Sequence, residues 1–108
     1  MVAVPQINDL VAYQQLIKEK KKVAIFYWAA WSGPSRLVTP TFHKHHHEEF
    51  PDITFITVDM DQATEILESE EIRVAPTFRF FCNGQKVGEV FGANTNELQK
   101  RLQELNNY

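Results

Sequence analysis

The sequence predicts an α/β fold, a central mixed five-stranded sheet flanked by four helices, formed as a single domain over residues 1–108. Three observations carry that expectation. Residues 23–29 are continuously apolar with β-branched and aromatic members, the pattern of a central strand covered on both faces. Asn83-Gly84 separates two further apolar runs, and that dipeptide is a strong hairpin signal. Segments with apolar residues at helical spacing lie before the first run and after the last. A chain of 108 residues with 44% hydrophobic content has material for one core, and is too short for two domains of ordinary size.

Taken in order, residues 2–4 are expected to form a first short strand. Asn8 or Asp9 can cap a helix carrying Leu10, Val11, Leu16 and Ile17, which ends at the lysines Lys18 and Lys20 to Lys22, where positive charge suits the negative end of the helix dipole. The buried strand at 23–29 follows. A second helix begins at Gly33-Pro34 and extends to about Glu49, with Pro34 tolerated in its first turn and Pro40 expected to bend it. Residues 53–59 read as a strand covered on both faces, and residues 63–70 as a short acidic helix. Residues 77–82 and 86–91 pair antiparallel across the Asn83-Gly84 turn. Asn94 or Thr95 opens the last helix, with Glu97 placed to complete a capping box and Leu98, Leu102 and Leu105 along one face. The order is βαβαβαββα, which implies parallel αβ units followed by a terminal hairpin and helix.

Composition removes several function classes. A net charge of −3 leaves no basic surplus for phosphate neutralisation, so nucleic acid is not an expected partner. The longest apolar stretch falls far short of the roughly 20 residues of a membrane helix, so no membrane association is expected. The opening Met1-Val2-Ala3-Val4-Pro5 lacks the features of a secretory signal, which gives a cytoplasmic expectation. Cys82 is the single cysteine, so an internal disulfide and a site built on several thiolates are both excluded. Nothing in the sequence calls for a bound cofactor.

The motifs sharpen the picture. Trp28-Ala29-Ala30-Trp31-Ser32-Gly33-Pro34-Ser35-Arg36, then Pro40, Asp59 and Asp61, then Val74-Ala75-Pro76-Thr77-Phe78, then Asn83-Gly84 and Gly92-Ala93 occur in an order and spacing that resembles the thioredoxin family over essentially the whole chain. The resemblance implies the thioredoxin fold and a protein-disulfide oxidoreductase lineage. It also implies that Ser32 and Ser35 occupy the positions of the two redox cysteines, Ser32 the attacking one and Ser35 the resolving one. A first thiolate at a helix N-terminus is acidified by backbone N–H groups and the dipole, and a second one turn inward can resolve the mixed disulfide. A serine hydroxyl does neither, so the chain as written is expected to be inactive in disulfide exchange.

Two origins of the serine pair stay open. The intact Trp31, Gly33, Pro34, Arg36 and Pro76 around two isosteric changes favour deliberate substitution in a cysteine-bearing parent, for which the resemblance implies a thioredoxin reductase as partner. The alternative is a natural redox-dead binding module of the same fold. Phe26 points that way: the family usually places a buried aspartate there to handle the inner cysteine's proton, and an aromatic ring cannot accept one.

Pro76 matches the family's cis-proline, opposite the active-site turn, leaving the Ala75 backbone to pair with a disulfide-containing or extended protein segment by β-augmentation. Trp31, Gly33, Pro34, Val74, Ala75, Pro76, Gly92 and Ala93 are the expected substrate-binding residues. Trp28 reads as core and Trp31 as surface. His43, His46 and His47 share a helix with His45 and form a weak metal candidate, outweighed by the reading of a wet helix face. His45 falls where the family places an inner-face apolar residue, and the helix looks one residue too long before Phe50, so a bulge is expected there. Cys82 reads as an ordinary thiol at an exposed hairpin end.

Overall fold

The computed structural model describes residues 4–108, apart from the side chains of His47 and Glu48. The elements are α1 (Leu10–Glu19), β1 (Lys22–Trp28), α2 (Gly33–Lys44), a π-helical segment (His45–Glu49), β2 (Thr54–Asp59), α3 (Thr64–Glu70), β3 (Thr77–Cys82), β4 (Gln85–Phe91) and α4 (Thr95–Asn106). The strands lie in the order β2-β1-β3-β4, with β1 and β2 parallel and the other pairs antiparallel. The sheet is therefore mixed and has four helices around it. It has four strands among the described residues, not five. Most of the strand expected at residues 2–4 lies outside the described residues. At that edge of β2 the described residues form a single parallel bridge, Gln6 to Thr57. Pro5 has no N–H to contribute, and the chain is already turning into the α1 cap at Asp9, so little length remains for a ladder.

The core lies in two layers. β1 sends Ala24 and Phe26 to one side, where they meet Phe42 of α2, Phe55, Phe78 and the α4 leucines Leu98, Leu102 and Leu105. It sends Val23, Ile25 and Tyr27 to the other, against Tyr13 and Ile17 of α1 and Ile66 of α3. This is why the strand reads as continuously apolar. Asp9 caps α1, accepting from the Ala12 N–H at 2.9 Å, while Asn8 accepts from the Asp59 N–H at 3.0 Å and so ties the loop to β2. The inward face of α1 carries Tyr13 and Ile17, whereas Val11 points to solvent.

Three other local expectations are corrected or refined. Asn94 caps α4 by accepting from the Glu97 N–H at 3.0 Å, but the Glu97 carboxylate engages Arg101 at 3.2 Å. The Glu97–Arg101 pair, spaced i, i+4, competes for the group that a full capping box needs. Cys82 is buried among the residues of the α2 and α4 layer, because the last residue of β3 still points inward before the turn. The turn itself, Asn83-Gly84, has positive φ at both residues (53° and 84°), as a tight two-residue hairpin requires. The extra length before Phe50 is taken up as the π-helical segment, where the Phe50 N–H reaches back to the His45 carbonyl at 3.3 Å. His45 is turned inward there, 4% exposed, with its ring 5.8 Å from that of Phe50 and Nδ1 3.2 Å from Glu49 Oε2.

On the α1 side Tyr13 and Tyr27 hydrogen-bond hydroxyl to hydroxyl in the buried layer. Burial pushes both phenols well above their ordinary value. A phenol whose folded pKa is raised holds its proton in the folded state after the unfolded chain has lost it, so its contribution to stability is complete below about pH 10 and is lost as pH climbs beyond. Thermal melts at pH 8, 10 and 11 are expected to show this alkaline loss. The double variant Tyr13→Phe with Tyr27→Phe should lose less over the same interval, and an identical slope in both proteins would refute the assignment.

Candidate functional site

The turn that ends β1 and begins α2 is closed by main-chain hydrogen bonds: the Ser32 N–H donates to the Ala29 carbonyl at 3.1 Å, and the Arg36 N–H to the Ser32 carbonyl at 3.2 Å. Ser32 is the N-cap of α2, its Oγ accepting from the Ser35 N–H at 3.2 Å. Pro34 sits in the first helical turn, where an absent N–H costs nothing. Ser32 is buried with a 5% edge to solvent, and Ser35 is fully enclosed.

Both hydroxyls end on main chain. Ser32 Oγ donates to the Ala75 carbonyl at 3.3 Å, and Ser35 Oγ accepts from the Ala29 N–H at 3.3 Å. Among the described residues no imidazole or carboxylate hydrogen-bonds to either, so neither oxygen has a base there to activate it as a nucleophile. Phe26 fills the position two residues before Trp28 with a fully buried ring, stacked on Phe78 at 4.9 Å and tilted against Phe42 at 5.1 Å. It offers no proton acceptor.

The sequence-predicted groove residues come together from three separate segments. The Ser32 to Ala75 hydrogen bond joins the helix turn to the loop before β3, and the Ala75-Pro76 peptide is cis. The Gly92 N–H donates to the Pro76 carbonyl at 2.9 Å, which brings in the loop after β4. Gly92 has φ 81°, a backbone that a side chain would strain. Around this line Trp31 is 67% exposed and Val74 is 48% exposed, with Pro34 and Ala93 also open and Gly33 half-buried. Trp31 is held by its indole N–H, which donates to Asp61 Oδ1 at 3.0 Å. Asp61 is itself fixed where its N–H meets Asp59 Oδ1 at 2.9 Å. Trp28 is half-buried, packed on the core, and donates to Gln6 Oε1 at 3.2 Å.

Two exposed apolar residues escaped the sequence reading. Phe91, next to Gly92, and Leu37, one helical turn after Pro34, are 61% and 77% exposed. Strand alternation in β4, with Val90 inward, places Phe91 outward, and that is the signal from which it was legible. The histidines scatter. His43 faces a cleft beside Arg36 and Pro40, the His46 ring lies 5.5 Å from Phe55, and the side chain of His47 is outside the described residues. Among the described residues no three His, Cys, Asp or Glu side chains gather as a metal site. Among them, too, no helix is long and apolar enough to cross a membrane.

Comparison with known proteins meets this geometry. Residues 4–104 match the family model described as Thioredoxin. The chain is 38% identical to the thioredoxin of Oryctolagus cuniculus over 104 residues, covering 94% of this chain and 98% of that protein. It is 30% identical to the mitochondrial thioredoxin-3 of Saccharomyces cerevisiae over 103 residues, covering 95% and 80%. The crystal structure of Malassezia sympodialis thioredoxin superposes with a TM-score of 0.91 at 34% identity, covering 98% of this chain and 93% of that one. With the fold, the Ser32 turn opposite Ala75-Pro76 and near full-length similarity in agreement, the chain belongs to the thioredoxin family.

Proposed function

We propose that this chain is a protein-binding member of the protein-disulfide oxidoreductase lineage, which holds an extended partner segment against Ala75 and performs no disulfide exchange in its Ser32, Ser35 form. The observation that carries the reading is the Ala75 backbone. Its carbonyl meets only Ser32 Oγ, and its N–H has no hydrogen-bond partner among the described residues. An N–H without a partner on a half-buried residue beside the exposed Trp31 and Val74 is a donor available to an extended strand. Trp31, Val74, Gly92 and Ala93 supply the apolar contacts around it. Members of the family act on disulfide-containing protein substrates and are reduced by thioredoxin reductase, which fits a partner presented as an extended segment.

The lack of exchange follows from oxygen chemistry. Neither serine ionises near neutral pH, and Cys82 is enclosed in the core. We read both serines as replacements in a cysteine-bearing parent, since Trp31, Gly33, Pro34, Arg36 and Pro76 around them match the thiol site. A second reading, a natural binding module of this fold, is favoured by Phe26. Cysteine codons at both positions in the source gene decide for the first.

The test uses S-carboxymethylated insulin B chain, an extended polypeptide without disulfides, and a Trp28→Phe background in which Trp31 is the sole tryptophan. A saturable change in Trp31 fluorescence is expected. Val74→Asp, an exposed change that leaves the core alone, should weaken it at least about tenfold by placing a charge where apolar surface is buried. Absence of saturation, or an unaltered affinity in Val74→Asp, would show that this groove does not bind protein. With intact insulin and dithiothreitol, the unmodified chain should add nothing to the rate given by dithiothreitol alone.

A further inference from the structure

Along α2 from Arg36 to His43 the structure holds a cleft of about 490 Å³, within the range of small-molecule sites. Its apolar part is Val4, Phe26, Trp28 and Pro40, and its ionisable part is Arg36 and His43. The helical residues explain themselves: Arg36, Thr39, Pro40 and His43 are spaced 3, 4 and 7 apart and so form one stripe along α2. Phe26, almost wholly buried, lies at the base of the cleft and keeps that base apolar. Thr39 and Thr57, which also line it, have their hydroxyls committed to the Ser35 and Pro5 carbonyls, at 2.8 and 3.3 Å. The Trp28 indole N–H is likewise committed to Gln6. The walls therefore have few free polar groups.

The charge is one-sided. Among the described residues no carboxylate lines the cleft, although the chain as a whole carries −3. Arg36 is exposed, and its guanidinium has no hydrogen-bond or ion-pair partner among the described residues; nor has the His43 ring. An apolar floor under an unpaired guanidinium is complementary to a molecule with an apolar body and one anionic end. We infer that the cleft beneath Arg36 and His43 binds a small amphipathic monocarboxylate, with its apolar body on Trp28 and Pro40 above the buried Phe26 and its carboxylate on the Arg36 guanidinium. Arginine suits this task, since its fork matches both carboxylate oxygens. The inference is independent of the groove at Ala75, with which the cleft shares no lining residue.

The test compares 4-phenylbutyrate, 4-phenylbutan-1-ol and 4-phenylbutylamine, which share one apolar body and differ in charge. In a Trp31→Phe background Trp28 is the sole tryptophan and its fluorescence reports the cleft. Phenylbutyrate is expected to saturate the signal below about 10 mM. It should bind about fivefold tighter than the alcohol and more tightly still than the amine, the modest factor reflecting a solvent-exposed guanidinium. Arg36→Gln, a surface change, should erase the preference over the alcohol. Amide shifts in a ¹⁵N spectrum should gather at Arg36, His43 and the Trp28 indole and spare Ala75. No saturation in that range, equal binding of acid and alcohol, an unaltered preference in Arg36→Gln, or shifts centred on Ala75 would each overturn the inference. So would a Trp28 signal that changes with protein concentration alone alongside a dimer in sedimentation, since a second copy would then cover the cleft.

Discussion

Introducing Ser32→Cys and Ser35→Cys together is expected to turn a chain that adds nothing to the reduction of insulin by dithiothreitol into one that catalyses it. The site is already arranged for the exchange. At position 32 a thiolate would replace an oxygen that accepts the Ser35 N–H at 3.2 Å and caps α2, and both the donor and the helix dipole favour negative charge there. The 5% exposure of Ser32 leaves one edge for an incoming disulfide, while the closed position of Ser35 keeps a second thiol for the resolving step. The single variants should separate the two roles. Ser32→Cys alone is expected to accumulate a mixed disulfide on a non-reducing gel and turn over poorly, and Ser35→Cys alone to remain inert. Phe26 sets the ceiling. Without a buried base to take the inner thiol's proton, resolution should run about 10²-fold below a site that has one. Its rate should then climb about tenfold per pH unit below the thiol's ordinary pKa, as thiolate is supplied by solvent alone. A flat profile between pH 6.5 and 8.5 would mean that some other group handles the proton. A folded double variant with no turnover at any pH would remove the lineage reading of the serine turn.

How much of this was legible in the sequence depends on whether the signal is local. The β1 run shows its burial on both faces directly, since Phe26 and Ile25 are neighbours that point into different layers. Asn83-Gly84 announces its turn because both residues adopt positive φ cheaply. The groove was readable for a different reason: Trp31, Ala75 and Gly92 are far apart in sequence, and only the ordered set of motifs placed them together. Where two local rules compete, the sequence does not say which prevails. Val11 and Tyr13 both fit an inward face of α1, and it is the Tyr27 hydroxyl, from another element, that selects Tyr13. Glu97 could close a capping box or meet Arg101, and it does the second. The cleft was half visible, as a stripe on α2. Its other wall, Val4, Gln6 and Thr57, exists only after β2 has paired with β1 and the Pro5 segment has crossed its edge.

Phe42 carries the largest expected effect on stability. It is fully buried on the inner face of α2, with ring centroids 5.1 Å from Phe26, 5.1 Å from Phe55 and 5.8 Å from Phe78. Those partners come from β1, β2 and β3, so one side chain fastens the helix that bears the serine turn to three strands. Phe42→Ala should cost about 3–5 kcal/mol, from lost transfer energy plus a cavity that close-packed rings cannot collapse to fill. Set against a typical total of about 5–15 kcal/mol, that is enough to bring the chain near its unfolding threshold at ambient temperature. The urea midpoint should fall with its slope unchanged, because the surface exposed on unfolding is nearly the same. Phe42→Leu, which retains most of the volume, should lose about 1.5 kcal/mol or less. Val11→Ala, at an exposed position of α1, should stay within about 0.5 kcal/mol. The ordering of the three matters more than any one value. If Phe42→Ala lost no more than Phe42→Leu, α2 would not be seated through this ring. The fixed distance from Ser32 to Ala75 would then need some other anchor.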